Sequence, residues 1–530
     1  MLPTRMKERA RTLVYVIGTL ILSGVPLLAC AQEVQIPDAG LNAAIRTALQ
    51  KPVGPLTVPD LLSLTNLNAS GRNVSNVIGL EAARNLVSLD LKINRLTNFS
   101  LPNTLTNLTV LDLSSNSLKD SSFPTGAIRL NSLDLSHNLF ASFTLASNLT
   151  SLGFLDLGFN GLTNVSLPSG LTNLTGLIIR GNTTLVDLNL PAGLTALETL
   201  DIDNNEFAHV TLPDGMKNLR RLSLQGNQLF SLLLPDGMTN LVSLFLDRNH
   251  LDSLTLPADL GKLAFTDLTG NQLTNLTLPG SLTALTELPM PVNRLSSFTL
   301  PTGLTNLINL DLFENLLTSF TLPSGLIALT NLDLGLNQLS SFSVPADATN
   351  LIALSLFGNR LTNFSLPTDM KRLNTLGLSA NHLSKIELPG GLTALVFMNL
   401  QGNQLTNLSL PPDMQMLTGI LLTGNPLATF VLSEPLAATN LAVTVATLQS
   451  QGVLVFTYPL ESKLVSPRRT GAGAFAFTLT GPPGRYALLA STNLTAWSDL
   501  GTVTNSIGEA EFADTAAGFS PSKFYRARAQ

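Results

Sequence analysis

The sequence contains one cysteine in 530 residues, Cys30, and this scarcity excludes several kinds of site. A chain with no second cysteine forms no internal disulfide and no cluster of thiolate ligands around a metal. Charged residues are also scarce, at 12% of the chain, and the formal net charge is −5. Since no basic stripe is available to neutralise phosphates, the composition predicts no nucleic-acid partner.

Combinations of residues that perform catalysis are missing as well. The four histidines do not cluster along the chain: they are His137, His209, His250 and His382. The sequence has no GxSxG, HExxH or phosphate-binding P-loop motif. Asp201-x-Asp203-x-Asn205 imitates the start of a calcium loop, but Glu206 replaces the required glycine and Leu212 the required glutamate. We therefore expect no enzyme, no metal site and no cofactor.

Residues 1–31 have the layout of a secretory signal peptide. Four basic residues precede an apolar run from Leu13 to about Leu28, and Ala29-Cys30-Ala31 fits the cleavage rule, with Gln32 as the new N-terminus. Two other interpretations stay open. The run could remain as an anchor helix, or Cys30 could carry a lipid anchor, since Leu27-Leu28-Ala29-Cys30 resembles the lipobox of bacterial lipoproteins. We expect export to the extracellular space, cell surface or periplasm, with no transmembrane segment in the mature chain.

A single asparagine recurs along most of the chain at an almost constant interval. Fourteen of the fifteen intervals are 22 residues and one is 23, where Asn182-Thr183-Thr184-Leu185 contains an extra residue. The sixteen positions are Asn94, Asn116, Asn138, Asn160, Asn182, Asn205, Asn227, Asn249, Asn271, Asn293, Asn315, Asn337, Asn359, Asn381, Asn403 and Asn425. Such a fixed period is the signature of a solenoid.

Each asparagine belongs to the pattern LxxLxLxxNxL, followed by an apolar residue and Leu-Pro. Leu310 and Leu312 are two residues apart, so both face one side of a short strand, and residues 309, 311 and 313 face the other. Stacked repeats would pair these strands in a parallel sheet around one shared core. The asparagine amide is then expected to bond to backbone groups of its own and neighbouring coils. Over about residues 64–460 the sequence closely resembles the leucine-rich-repeat family.

A second apolar position, shortly before Leu-Pro, carries a row of phenylalanines. Phe320 and Leu322 illustrate this phase, which predicts a short extended segment on the convex side, ended by Pro323. The row consists of Phe99, Phe143, Phe298, Phe320, Phe342, Phe364 and Phe430. Although it has the form of an aromatic stripe, we interpret it as core packing.

The ends of the repeat array differ from its middle and predict the domain order. Residues 1–31 are the signal peptide, 32–80 an N-terminal cap with a degenerate first repeat, and 81–432 a solenoid of 16 repeats. A C-terminal cap (433–460), a polar linker (461–471) and a small all-β, sandwich-like domain (472–530) follow. The N-terminal cap resembles internalin-like bacterial proteins, and the last domain is similar to modules appended to many exported bacterial proteins. Trp497 is expected in the core of that domain.

The middle outward position of each strand, four residues before the asparagine, should line the concave face, where such solenoids usually bind. Four successive strands place Asp there, forming an acidic column: Asp90, Asp112, Asp134 and Asp156. Farther along, outward phenylalanines are expected to be exposed and to suggest a partner surface: Phe245, Phe313, Phe357 and Phe397. Pro289 and Pro291 should break strand pairing locally and divide this face in two.

The functional interpretation favours a non-catalytic exported protein that binds a protein or cell-surface partner through the concave face. For the acidic column, a repeated structural motif and a site for a cation or basic ligand both remain open. No Tyr or Trp occurs between residues 81 and 432, although these residues dominate high-affinity interfaces. Contact with a surface polymer therefore fits too, and the alternative is a structural or carbohydrate-binding component of the cell surface.

Overall fold

The computed structural model describes residues 32–122, 128–470, 473–516 and 522–530. The predicted signal peptide, 1–31, and the lipid-anchor candidate Cys30 lie outside the described residues. Among the described residues, no helix has the length and apolar character that crossing a membrane requires.

The repeats form a solenoid whose concave wall is one parallel sheet of 17 strands. Neighbouring strands pair in register, with the inward leucine of one beside the inward leucine of the next, as in Leu310 and Leu332. The strands are Asn66–Asn68, Ser88–Asp90, Val110–Asp112, Ser132–Asp134, Phe154–Asp156, Gly176–Ile178, Thr199–Asp201, Arg221–Ser223, Ser243–Phe245, Phe265–Asp267, Glu287–Pro289, Asn309–Asp311, Asn331–Asp333, Ala353–Ser355, Thr375–Gly377, Phe397–Asn399 and Gly419–Leu421. The predicted fold class is confirmed.

The convex side carries short extended pairs, ending in a three-stranded sheet at the C-terminal end of the solenoid. They are Phe99–Ser100 with Ser121–Ser122, Ser142–Thr144 with Asn164–Ser166, Ser253–Thr255 with Asn275–Thr277, Asn363–Ser365 with Lys385–Glu387, and Asn407–Ser409 with Thr429–Ser433 and Leu454–Tyr458. The phenylalanines of the convex row are each no more than 8% exposed. Phe298, Phe320 and Phe342 stack in sequence, with centroids 6.2 and 6.4 Å apart. Their assignment to core packing is confirmed.

The recurring asparagines form the expected ladder of hydrogen bonds. In one coil, the Asn337 side-chain nitrogen donates to Leu334 O at 3.1 Å and to Leu312 O of the preceding coil at 2.9 Å. Its side-chain oxygen accepts from Leu317 N at 3.0 Å. All sixteen asparagines donate within their own coil and to the coil before. Because each amide pairs backbone groups that a turn would leave unpaired, it fastens successive coils together.

Sequence reasoning missed the backbone conformation of the residue before each asparagine. All sixteen of these residues have a positive φ, and only six are glycine. Val292 has a φ of 57°, in a region that β-branched side chains rarely adopt. The bonds of the ladder therefore hold the turn in place against a local preference for other conformations.

The two prolines reduce strand pairing but do not divide the sheet. Between Phe265–Asp267 and Glu287–Pro289, only Phe265 and Glu287 remain paired, since Pro289 has no N–H to donate. The next pair of strands is in full register again, so the sheet is continuous and the expected division is wrong. Thr266 replaces the inward leucine here; its hydroxyl is fully buried and bonds to none of the described residues.

Helices close the N-terminal end of the solenoid. Helix α1, Ala39–Leu49, begins where Asp38 accepts a hydrogen bond from Leu41 N at 2.9 Å. Helix α2, Val58–Leu62, begins at a capping box formed by Thr57 and Asp60, and a 3₁₀ turn follows at Leu80–Ala82.

Two further helices and one strand close the other end. Helices α3, Glu434–Ala438, and α4, Ala442–Ser450, pack beside the strand Leu454–Tyr458. The Tyr458 hydroxyl is fully buried and donates to Leu410 O at 2.6 Å. Burial, with a smaller contribution from Asp413, raises the pKa of Tyr458.

The segment expected to be a polar linker, 461–471, is mostly a strand. Lys463–Arg469 pairs antiparallel with Phe475–Thr480, which pairs with Glu509–Asp514. Its polar composition reflects an edge position with mostly exposed side chains and a break in pairing between Val465 and Arg468. We call residues 463–530 the C-terminal module.

A second antiparallel sheet completes the C-terminal module. Its strands are Gly484–Ser491 in the centre, with Ser498–Asn505 and Phe524–Ala529 on the two sides. Tyr525 stacks on Phe475 of the first sheet at 5.2 Å. Trp497, expected in the core, is instead half-buried at the surface, where its ring nitrogen donates to Leu494 O at 3.2 Å.

Candidate functional site

The acidic column is a real arrangement of neighbouring side chains. Asp90, Asp112, Asp134 and Asp156 occupy equivalent places in four strands paired in register. Each is half-buried and outward, beside a buried leucine of the same strand. Adjacent strands lie about 4.8 Å apart, so successive carboxylates repel one another.

Every member of the column also stabilises the turn that follows its strand. Its carboxylate accepts a hydrogen bond from the backbone N–H two residues ahead, at 2.7 to 3.0 Å. Ser114 and Ser136 add hydroxyl bonds of 2.6 and 2.7 Å to Asp112 and Asp134. Asn399 makes the same backbone bond to Gln401 N at 3.1 Å, so the turn itself requires no charge.

Positive charge is distributed unevenly along this column. Lys92 Nζ lies 3.6 Å from Asp90 and 3.8 Å from Asp112. Among the described residues, no lysine or arginine nitrogen comes within 4 Å of Asp134 or Asp156. Burial, reinforced by the charge of Asp134, raises the pKa of Asp156 to about 6. Asp134 and Asp156, the end of the column toward the middle of the solenoid, therefore have the fewest close cationic partners. We call these two residues the inner end of the column.

The fragment that imitates a calcium loop is explained by contacts between coils. Asp203 accepts from the Ser223 hydroxyl and from Gln225 N, both at 2.8 Å. Burial is the main cause that raises the pKa of Asp203 to about 6, with Asp201 contributing. The described part of the chain contains no group of three His, Cys, Asp or Glu side chains arranged to hold a metal ion.

Phe245 lies at the centre of the first aromatic patch on the concave face. The centroid of its ring is 5.0 Å from that of Phe265 on the next strand. On the preceding strand, the guanidinium carbon of Arg221 lies 4.0 Å from the centroid of the Phe245 ring. Both rings are half-buried. Sequence reasoning singled out Phe245 but missed Phe265 and Arg221, which occupy the first outward position of their strands.

Phe313 and Phe357 form the second patch, although a whole repeat separates them. Their ring centroids are 5.7 Å apart because the intervening repeat carries Gly335 at the equivalent position. A Cβ on Gly335 would lie 2.6 Å from the ring of Phe357. A glycine that looked featureless in the sequence therefore brings the two rings together.

Phe397 joins neither patch. Its ring covers Gly419 on the next strand, where a Cβ would lie 2.8 Å from Cδ2 of Phe397. Phe154 covers Gly176 in the same way, at the same distance. For these two phenylalanines, filling the space above a neighbouring glycine accounts for the outward ring without a partner.

The rim beside the concave face contains a polar chain that the sequence did not suggest. His250 Nε2 lies 2.7 Å from Gln228 Oε1, and Gln272 Nε2 lies 3.1 Å from His250 Nδ1. These three residues occupy the same phase of successive repeats, directly after the ladder asparagine. Because their polar atoms bond to one another, we interpret the chain as a device that couples coils.

The sequence matches the profile of the BspA type leucine-rich-repeat region over residues 91–206, 158–267, 181–289, 291–406 and 334–438, which together cover more than half of the chain. The chain belongs to the BspA-type leucine-rich-repeat family. A search of curated proteins found no match.

Two solved structures of bacterial leucine-rich-repeat proteins resemble the fold. The functional domain of InlJ from Listeria monocytogenes, described as including a cysteine ladder, is 19% identical, with a TM-score of 0.56 over 84% of this chain and 94% of that chain. A leucine-rich-repeat protein of Leptospira interrogans is 24% identical, with a TM-score of 0.50 over 75% of this chain and 97% of that chain. These likenesses concern the fold, and the ladder of this BspA-type chain is built from asparagine.

Proposed function

We propose that this BspA-type protein is exported and binds a protein on a cell surface through the concave face of its solenoid. The observation that carries the proposal is the patch of Phe245, Phe265 and Arg221 in the middle of a continuous sheet. Aromatic rings beside a guanidinium are typical of the centres of protein interfaces. Family membership supports the binding role, and the basic, apolar and small-residue segments of 1–31 support export.

The acidic column supplies the second part of the proposed interface. Its inner end, Asp134 and Asp156, carries charge that no neighbouring lysine or arginine offsets within 4 Å among the described residues. A partner with basic side chains facing this end and apolar groups facing Phe245 and Phe313 would complement both regions. Phe357 belongs to the same interface through its contact with Phe313.

The proposal is tested by weakening the concave face and an exposed convex position in separate variants. Phe245→Ser with Phe313→Ser removes one ring from each patch, and Leu233→Ser removes an apolar side chain that is 83% exposed on the convex side. Binding of the purified variants to intact cells and to isolated envelope proteins is measured by quantitative pull-down. We expect the concave variant to lose about tenfold in affinity, equal to about 1.4 kcal/mol, and Leu233→Ser to bind like the parent.

Asp112→Asn with Asp134→Asn tests the acidic part, since Asn399 demonstrates that asparagine keeps the turn bond. If the column contacts a basic partner, the partner should raise the melting temperature of the parent more than that of this variant. Equal shifts would remove the column from the interface. Equal loss of binding in the concave variant and Leu233→Ser would overturn the proposed face altogether.

A further inference from the structure

The outer face of the second sheet in the C-terminal module carries a row of arginines. Tyr525 turns inward to Phe475, so alternation along Phe524–Ala529 turns Arg526 and Arg528 outward. They lie opposite Leu489 and Ala487 of the central strand, and Arg485 follows on the same face of that strand. Residues two apart on a strand are separated by about 6.8 Å and neighbouring strands by about 4.8 Å, so the row Arg485, Arg528, Arg526 extends for roughly 14 Å.

The apolar part of this face is already covered. Ala487 is fully buried and Leu489 is 7% exposed, although both point away from the sandwich core. We assign this cover to the aliphatic stems of Arg526 and Arg528, which stand directly opposite on the neighbouring strand and have their charged ends in solvent. The Arg526 guanidinium carbon lies 4.1 Å from the centroid of the Trp497 ring. Stacking of this kind holds a guanidinium flat and leaves the N–H groups at its edge available to an anion.

The three arginines of this row lack acidic partners among the described residues. Two other cations of the C-terminal module have ion-pair partners: Arg468 lies 2.8 Å from Glu511, and Lys523 lies 2.5 Å from Asp514. Asp499 flanks Leu489 on the same sheet, but its carboxylate accepts from Gly501 N at 2.7 Å. The row is therefore a local concentration of uncompensated positive charge.

This charge contrasts with the rest of the protein. Residues 463–530 contain seven Lys and Arg against four Asp and Glu, whereas residues 32–462 contain 19 against 30. The acidic solenoid repels a large polyanion, such as duplex nucleic acid or an anionic membrane, that would extend over both regions. A single flexible polymer chain needs to contact only the row of roughly 14 Å and does not have to extend over the solenoid.

Hydroxyl groups continue the same face on the third strand. Thr502 pairs with Ala487 and Thr504 with Arg485, and both threonines are exposed. Guanidinium groups suit carboxylate or sulfate groups, and hydroxyls suit the hydroxyls of sugars. We propose that this arginine face binds a linear anionic polysaccharide. The proposal concerns the C-terminal module alone and does not depend on what the solenoid binds.

Binding of the whole chain to polygalacturonate and dextran sulfate, with neutral dextran as the reference, tests this proposal. The variant Arg485→Gln, Arg526→Gln, Arg528→Gln removes the row. The matched control Lys463→Gln, Arg468→Gln, Arg469→Gln removes the same number of charges from the edge strand of the other sheet. We expect the parent to bind both anionic polymers, more weakly at 0.5 M salt, with at least a tenfold loss in the row variant and less than a twofold loss in the control.

Arg528→Gln alone is the second variant, because Arg528 does not contact Trp497 and its removal leaves that ring covered. It should lose severalfold in affinity with an unchanged melting temperature. The inference is overturned if neither anionic polymer binds at low salt, if neutral dextran binds as well, or if both triple variants lose affinity equally. Tighter binding of single-stranded DNA or of phosphatidylglycerol vesicles than of either polysaccharide would also overturn it, in favour of that class of ligand.

Discussion

The solenoid and the C-terminal module stabilise their polar side chains over very different distances along the chain. In the solenoid, the ladder bonds of Asn271 reach Leu246, Leu251 and Leu268, none of them more than 25 residues away. In the C-terminal module, Arg468 reaches Glu511, 43 residues away. Because the ladder bonds join neighbouring coils, a substitution in one coil should also destabilise the coils beside it. The C-terminal module has a core of its own.

The two regions can be followed separately during unfolding. Because Trp497 is the only tryptophan, its fluorescence reports on the C-terminal module, while circular dichroism is dominated by the solenoid.

The largest expected effect comes from removing a ladder asparagine in the middle of the array. Asn271→Ala leaves Leu246 O, Leu268 O and Leu251 N without their side-chain partner, at a cost of about 3 kcal/mol or more. The midpoint of the circular dichroism melt should fall, while the midpoint followed by Trp497 fluorescence stays constant. If both midpoints fall together, the two regions unfold as one unit.

Mild acid should stabilise the solenoid and leave the C-terminal module unchanged. Asp156 and Asp203 have a pKa of about 6 in the folded solenoid, mainly because of burial, above the value of about 3.9 in an unfolded chain. The folded form therefore takes up protons first, and the solenoid gains roughly 2 kcal/mol as the pH falls from 7 to 5. Asp156→Asn with Asp203→Asn should remove most of this gain, and burial of Asp247 and Asp311, which also raises their pKa, accounts for the remainder.

For the C-terminal module the sign is reversed. Burial raises the pKa of Asp514, but hydrogen bonds from Lys523 and Tyr525 outweigh it and hold the pKa below its ordinary value. The stability from this carboxylate is present above the ordinary pKa and is lost only as the pH falls below it. Between pH 7 and 5 the dichroism midpoint should rise while the fluorescence midpoint stays constant. At pH 3.5 the fluorescence midpoint should fall. A fluorescence midpoint that rises at pH 5 would contradict this.

Thr266→Val should stabilise the solenoid by about 1 kcal/mol. The hydroxyl is fully buried and unpaired among the described residues, so replacing it with a methyl group of similar size removes a desolvation cost. The measurement is the urea midpoint followed by circular dichroism. Ser223→Ala serves as the contrast, because that buried hydroxyl donates to Asp203 at 2.8 Å and its loss should destabilise. Stabilisation by both changes would contradict the assignment.

The smallest effect is expected from deleting the C-terminal module. A chain ending at Leu460 keeps Tyr458 and its bond to Leu410, and the cut avoids the strand that begins at Lys463. Gly508 lies against Tyr458, since a Cβ there would be 2.9 Å from Cβ of Tyr458. Loss of that contact should lower the dichroism midpoint by only a few degrees. Aggregation, or a much larger drop, would make the C-terminal module part of the solenoid fold.

The solenoid could be predicted well from the sequence because the same local environment recurs in sixteen repeats. The ladder of Asn337, the inward leucines and the convex phenylalanines all follow from phase. The C-terminal module offers no such repetition. Its sequence therefore predicts a linker where the strand Lys463–Arg469 lies, and a core position for Trp497. Whole-chain composition also concealed the arginine row, because a net charge averages over the acidic solenoid.

Within the candidate site, single positions were easier to predict than contacts between them. The acidic column follows from the period because its members are identical neighbours. The pairing of Phe313 with Phe357 depends on Gly335 between them, and the capping of Phe245 depends on Arg221 at a different outward position. Such contacts join residues of different size and phase, which a consensus pattern does not represent.

The glycines beneath aromatic rings constrain how such an array can grow. Phe154 fills the space above Gly176, and Phe397 fills the space above Gly419, each in the adjacent repeat. Duplicating only the repeat with Phe154 would place two phenylalanines side by side, while duplicating only the repeat with Gly176 would leave the second glycine without a ring above it. At these two pairs of repeats, packing is preserved only when both repeats are inserted or deleted together. Insertions or deletions of 44 residues should therefore be tolerated there better than those of 22.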